Sequence, residues 1–128
     1  MLDTDICVYW LNGKEEIKQK IQEIGLDYLN TTIITLGELK YGAYYSKNVE
    51  HNLKKIRDFL RKVNLLNIEE KSIEEFGKIK AELRKKGEMI GDFDILIASI
   101  AISNNCILVT NNEKHYKRIN SLKIENWL

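Results

Sequence analysis

Gly91-Asp92-Phe93-Asp94-Ile95-Leu96-Ile97-Ala98-Ser99-Ile100-Ala101-Ile102-Ser103, followed shortly by Ile107-Leu108-Val109-Thr110-Asn111-Asn112, decides the fold class. The first stretch is apolar on every side beyond its two aspartates. That pattern belongs to a helix buried inside a protein rather than one lying on its surface. The acids gather at its start, where the helix dipole favours negative charge. Ile107-Leu108-Val109 is a short apolar run that ends at a polar turn, as a buried strand does. A buried helix feeding a buried strand belongs to an α/β protein with a parallel sheet.

Working outward, the same alternation recurs. Met1 to Val8 reads as a short buried strand passing into a turn. Lys14 to Ile24 carries Ile17, Ile21 and Ile24 at helical spacing and stops at Gly25. Thr31-Thr32-Ile33-Ile34-Thr35 is β-branched throughout and suits a central strand, with a helix expected from about Leu36 to Ser46. Asn52 to Val63 and Ser72 to Lys86 are amphipathic, the second closed by Gly87. Leu65 to Ile68 suits a short strand, Glu113 to Arg118 a brief helix, and Lys123 to Trp127 an edge strand. Strands alternating with helices predict a parallel sheet between two helical layers.

The whole chain sets bounds on function. Its 128 residues are expected to form a single domain spanning 1–128. A net charge of +1 provides no global attraction for nucleic acid, so any such binding must rest on local clusters. Cys7 and Cys106 lack paired spacing, and no targeting peptide precedes the first strand, so a cytoplasmic protein with reduced thiols is expected. The apolar run from Ile95 to Ile102 is far short of the ~20 residues that span a bilayer, so no membrane association is expected. There is no His–Cys cluster for zinc, no nucleophile elbow and no phosphate loop.

Chemistry lies in three acidic stations, each at a switch from an apolar run to a helix. Asp3 and Asp5 form the first, Glu38 the second, Asp92 and Asp94 the third. Carboxylates brought together at the mouth of a sheet repel unless a hard divalent cation such as Mg2+ or Mn2+ sits among them, and such ions promote phosphodiester chemistry. Each acid also has a structural explanation. Asp5 and Asp92 suit N-caps, Asp3 a turn or an N-cap, and Thr35-Leu36-Gly37-Glu38 fits a capping box. Asp94 lies beyond the cap position, which makes it the sharper candidate. Thr110 and Asn112 follow the last buried strand and bring polar groups to the same edge, with Asn112 also placed to cap the next helix. His51 and His115, among charged neighbours, read as surface residues. Lys80, Arg84, Lys85 and Lys86, with Lys114, Lys117 and Arg118, flank the Asp94 segment as solvated faces able to meet RNA phosphates.

Met1-Leu2-Asp3-Thr4-Asp5, Ile34-Thr35-Leu36-Gly37-Glu38-Leu39, Ile90-Gly91-Asp92-Phe93-Asp94 and Leu108-Val109-Thr110-Asn111-Asn112, in this order and spacing, resemble the PIN domain. The closest likeness is to the VapC toxins of toxin–antitoxin pairs, and it runs to Ile124-Glu125-Asn126-Trp127. The resemblance implies a PIN-like α/β/α sandwich with a central parallel sheet. It also implies an endoribonuclease dependent on Mg2+ or Mn2+, which cuts structured RNA such as tRNA or rRNA loops. Asp3, Glu38 and Asp94 would be the catalytic and metal-binding acids, with Asp5, Asp92, Thr110 and Asn112 auxiliary. A cognate antitoxin and a homodimer are further implications. Asn112 stands where many PIN domains carry a fourth acid, which leaves open a second metal site. Two alternatives remain: a catalytically weak PIN-like RNA-binding module, and a haloacid-dehalogenase-type phosphatase suggested by Leu2-Asp3-Thr4-Asp5. The phosphatase motif order is reversed here and would leave Glu38 unused.

Overall fold

Short extended segments at the centre of the chain's fold place everything else. The computed structural model describes residues 1–128. Strand β1 (Asn30–Thr32) pairs in parallel with β2 (Asn64–Leu66), and β3 (Leu108–Val109) pairs in parallel with β4 (Ile124–Glu125). The N-terminal segment Met1–Asp3 joins the two pairs. Leu2 N donates to Asn30 O at 2.7 Å, Asp3 N to Val109 O at 2.9 Å, and Val109 N to Met1 O at 2.8 Å. The spatial order is therefore β2, β1, the N-terminal segment, β3, β4.

Alternation along these segments sorts the core into two layers. Leu2 and Val109 face one side, packed with Ile6, Ile17, Leu39, Ile56 and Phe59. Their neighbours Met1 and Leu108 face the other, with Leu83, Ile95, Ile100 and Tyr116. The first side is covered by α1 (Thr4–Leu11), α2 (Glu15–Ile24), α3 (Ile33–Tyr44) and α4 (Val49–Leu60). The second is covered by α5 (Glu70–Lys86), α6 (Asp92–Ser103) and α7 (Glu113–Tyr116). Side chains one residue apart on a strand point to opposite faces, so this division follows from the strand geometry. The architecture is the α/β/α sandwich expected from the sequence. No helix is long and apolar enough to cross a membrane.

Helix limits follow local chemistry. Helix α5 ends at Gly87, whose φ of 69° lies in the left-handed region, and Arg84, Lys85 and Lys86 in its last turn complement the dipole. Helix α6 occupies the expected Asp92–Ser103, with Ile95, Ile97, Ala98, Ser99, Ile100 and Ala101 all buried. Its one buried hydroxyl, on Ser99, donates to Ile95 O at 2.6 Å.

Two expected strands are shorter than their composition suggests, for one reason. The first ends at Asp3, because the Asp3 carboxylate accepts from Thr4 N at 2.9 Å and starts a helix there. Val8, expected in the strand, lies on α1 and is exposed. The second ends at Thr32, whose hydroxyl accepts from Thr35 N at 3.0 Å, so α3 begins at Ile33 rather than Leu36. In both places a short polar side chain satisfies an orphan N–H and wins over β-branched propensity. The capping box expected at Thr35 is absent, since Thr35 is already inside the helix. Likewise Gly91, not Asp92, occupies the N-cap of α6.

Thr31, fully buried in β1, donates its hydroxyl to Leu2 O at 2.9 Å and so ties β1 to the N-terminal segment. Thr31→Val keeps the shape and removes that donor. It is expected to lower stability by about 1–3 kcal/mol in urea unfolding, and an unchanged midpoint would refute the role of this bond.

Candidate active site

The ends of the N-terminal segment and β3, the first turns of α1, α6 and α7, and the second turn of α3 meet at one edge of the sheet. Asp3 is the innermost member, with 5 % of its surface exposed. Its Oδ1 accepts from Thr4 N, and its Oδ2 accepts from the Thr110 hydroxyl at 2.8 Å. The Tyr116 hydroxyl lies 3.4 Å from Asp3 Oδ1 and 3.4 Å from Asp94 Oδ1, so the two carboxylates flank one phenol. Asp94, in the first turn of α6, also has His115 Nδ1 at 3.7 Å from Oδ2. Glu38 joins through Thr4, whose hydroxyl donates to Glu38 Oε1 at 2.7 Å and lies 3.0 Å from the Thr35 hydroxyl. Because Thr4 follows Asp3, the strand end that fixes Asp3 also fixes Glu38.

Of the auxiliary residues, Asp5, Thr110 and Asn112 reach this site. Asp5 accepts from Ile6 N at 2.7 Å and from Asn111 N at 3.0 Å, which links α1 to the turn after β3. Asn112 donates its backbone N–H to the Thr110 hydroxyl at 2.9 Å. Asn112 occupies the expected N-cap position of α7, but its side chain lies 3.1 Å from His115 Nδ1 and makes no capping hydrogen bond. Asp92 turns aside into an ion pair with Lys80 at 2.9 Å, so its charge is already matched. Among the flanking cations, Lys86 pairs with Glu82 and Arg118 donates to Met89 O.

Sequence reasoning missed Thr4, Tyr116 and His115. Thr4 could have been found, because a hydroxyl beside a candidate ligand commonly orients it. Tyr116 sits in a short charged segment, Glu113-Lys114-His115-Tyr116, that reads as surface, and only the packing of α7 against α6 buries it.

Electrostatics single out Asp3. Burial foremost, then the charge of Asp5, push its carboxyl up to about 7, against hydrogen bonds from Thr110 and Thr4 N, while Asp94 adds to the rise. Asp5 is also raised, chiefly by burial, with Asp94 contributing. The Tyr116 phenol is pushed upward by burial and by the charges of Asp3 and Asp94, so it keeps its proton and can donate. No lysine or arginine pairs with Asp3, Asp5, Glu38 or Asp94.

The donor set suits a hard cation. It consists of carboxylate and hydroxyl oxygens, and its mutual repulsion is uncompensated by any basic side chain. No three acidic, His or Cys side chains are gathered tightly enough to ligate one ion directly. A hydrated ion of the Mg2+ type retains several waters and needs only one or two direct carboxylates, and Asp3 and Asp94 are the two that could supply them.

An α/β/α sandwich with carboxylates at the end of its parallel strands has known counterparts. The PIN domain family model matches residues 1–121. The ribonuclease VapC2 of Rickettsia felis is 42% identical over 99% of this chain and 96% of its own length. The tRNA(fMet)-specific endonuclease VapC of Shigella flexneri is 34% identical, covering 99% and 96%. Among solved structures, the VapBC2 complex of Rickettsia felis bound to a DNA fragment from its promoter aligns with a TM-score of 0.93 at 38% identity, over 100% of this chain and 98% of the other. The DNA-bound VapBC of Salmonella typhimurium aligns with a TM-score of 0.94 at 34% identity, covering 100% and 97%. The chain belongs to the PIN-domain family. Proteins of that family are divalent-metal-dependent nucleases, and the phosphatase alternative falls away.

Asp3 makes the metal-free protein sensitive to pH. Its folded carboxyl titrates near 7 and its unfolded one near 3.8, so the folded state holds a proton that the unfolded state has released. The stability this contributes is full below the unfolded value and is lost as pH rises through about 7. The melting temperature in EDTA is expected to fall between about pH 4 and pH 7. Asp3→Asn should flatten that slope, and a variant slope equal to wild type would count against the assignment.

Proposed function

We propose that this chain, as one domain spanning residues 1–128, is an Mg2+- or Mn2+-dependent endoribonuclease and the toxin half of a toxin–antitoxin pair. Its substrate is structured RNA cut at an unpaired loop, where unstacked bases are accessible. The observation that carries the proposal is the buried Asp3 beside Asp94, two acids flanking one hydroxyl without any lysine or arginine to neutralise them. The names of the relatives supply the substrate class, and tRNA(fMet) is the first RNA to test.

Asp3 and Asp94 would hold the cation, with Glu38 completing the cluster through water. When bound, such a cation acts as a Lewis acid that strengthens a water nucleophile and offsets charge on the scissile phosphate. Thr110 and Thr4 N hold both oxygens of Asp3 in place, so its orientation is fixed before substrate arrives. Thr4 fixes Glu38 through Oε1, which leaves Oε2 to orient the attacking water and take its proton. Asp5 adds negative charge beside the pair, and Asn112 braces Thr110 from behind.

The antitoxin reading has its own support. A cleft of about 230 Å3 between α1, α3 and α4 is lined by Val8, Leu11, Leu39 and Ile56 and runs up to Glu38. An amphipathic segment lying there would bury apolar residues and end beside the acids. An arginine at that end would pair with carboxylates and block cation entry. The solved relatives are themselves VapBC toxin–antitoxin complexes.

Purified chain should cleave tRNA(fMet) with Mg2+ or Mn2+ and stop in EDTA. Loss of partners around metal ligands already costs roughly 10–100-fold, so Asp94→Asn, which alters a ligand itself, should reduce cleavage by about 100-fold or more. Mg2+ should raise the melting temperature of wild type more than that of Asp94→Asn, since binding only the folded state stabilises it. Cleavage that survives both EDTA and Asp94→Asn would sink the proposal.

In cells, expression of the chain should arrest growth, and the small protein encoded beside it should restore growth. Equal toxicity of the Asp94→Asn chain would refute the toxin assignment.

A further inference from the structure

Tyr116 is the largest of the fully buried side chains, and its ring lies in the apolar layer with Leu83, Ile95, Ile100 and Ile119. A phenylalanine would fill that volume without the cost of burying a hydroxyl. The hydroxyl is nevertheless present, and it points at the acids. It lies 3.4 Å from Asp3 Oδ1 and 3.4 Å from Asp94 Oδ1, and no other group donates to both. A good O–H···O− bond is about 2.5–2.7 Å, and one phenol carries one hydrogen, so both contacts are long and only one of them is made at a time. The ring is fully buried among apolar neighbours. The hydroxyl thus stands between the two carboxylates, with the core behind it.

We propose that Tyr116 is a positioning residue that sets the separation and facing of Asp3 and Asp94 for a divalent cation. This rests on the metal-dependent nuclease proposed above. The phenol faces Oδ1 of both acids, and with Asp3 Oδ2 already held by Thr110, Asp94 Oδ2 is the oxygen of the pair that no hydroxyl or backbone N–H reaches and that a cation could take. Without the hydroxyl, Asp94 has only the more distant His115 at 3.7 Å to orient it, while Asp3 keeps Thr4 and Thr110. The loss therefore falls on Asp94 and on cation binding rather than on the fold.

Tyr116→Phe tests this directly. Its melting temperature in EDTA should match or exceed wild type, because the ring stays packed and a buried polar group is gone. Mn2+ binding, read by electron paramagnetic resonance of the free ion and by the metal-dependent melting shift, should weaken by roughly tenfold, as when an outer partner of a metal ligand is removed. RNA cleavage should recover toward wild type as Mn2+ is raised, a rescue that a merely structural role would not produce. Equal Mn2+ midpoints in wild type and Tyr116→Phe would overturn the inference. Wild type that binds no Mn2+ would instead fell the nuclease proposal itself, and this one with it.

Should Tyr116→Phe fail to fold, the wild-type chain labelled at tyrosine 13Cζ gives a second readout. One buried tyrosine resonance of the six should shift with the Mg2+ midpoint. Six resonances indifferent to Mg2+ would refute the inference.

Discussion

One carboxylate, that of Asp3, ends a strand, starts a helix and forms the floor of the site. It accepts from Thr4 N, which fixes where α1 begins, and from Thr110, which ties the turn after β3 to the chain's start. The second contact comes from a segment more than a hundred residues away in sequence, and it holds only where the N-terminal segment lies against β3. The sheet is therefore the condition for the site. Its middle segment is three residues long and gains its place from backbone bonds on both sides, with Thr31 adding a side-chain bond to Leu2 O.

The same burial works against the metal-free fold. Two carboxyls at this edge, Asp3 and Asp5, are harder to ionise than in water, and no basic side chain relieves them. Moving a carboxyl from 3.8 to about 7 corresponds to an ionisation cost on the order of 4 kcal/mol, a sizeable fraction of a small domain's net stability. A site built this way is stable when something positive fills it. Under the proposed function, a divalent ion and a partner's guanidinium would answer the same electrostatic demand.

The two helical layers divide the work. Helices α1, α3 and α4 carry Glu38 and a cleft that opens beside it, so this layer meets the outside. Helix α6 is buried through its middle, from Ile97 to Ala101, and exposes most of all its first turn, with Asp92, Phe93 and Asp94. A helix with a buried middle holds Asp94 more accurately than a loop would, and Tyr116 reaches it from α7 in the same layer.

By itself the sequence determined the α/β class, the limits of α6 and the stop of α5 at Gly87. Those rest on local periodicity and on glycine's freedom at positive φ. It also marked Asp3, Glu38 and Asp94 as candidate acids, because each stands where an apolar run gives way to a helix. Only the tertiary structure decided where the first two strands stop, since Asp3 and Thr32 act as caps once the helices they start have something to pack on. It sent Asp92 to Lys80 and left Asp94 unpaired by any lysine or arginine, a choice set by the packing of α5 against α6 that no spacing along the chain encodes. It buried Tyr116, from a segment that is mostly charged, between two acids distant in sequence. Local chemistry fixes which residues can cap, turn or carry charge, whereas the meeting of side chains from distant segments depends on the register of strands that pair only when the whole sheet forms.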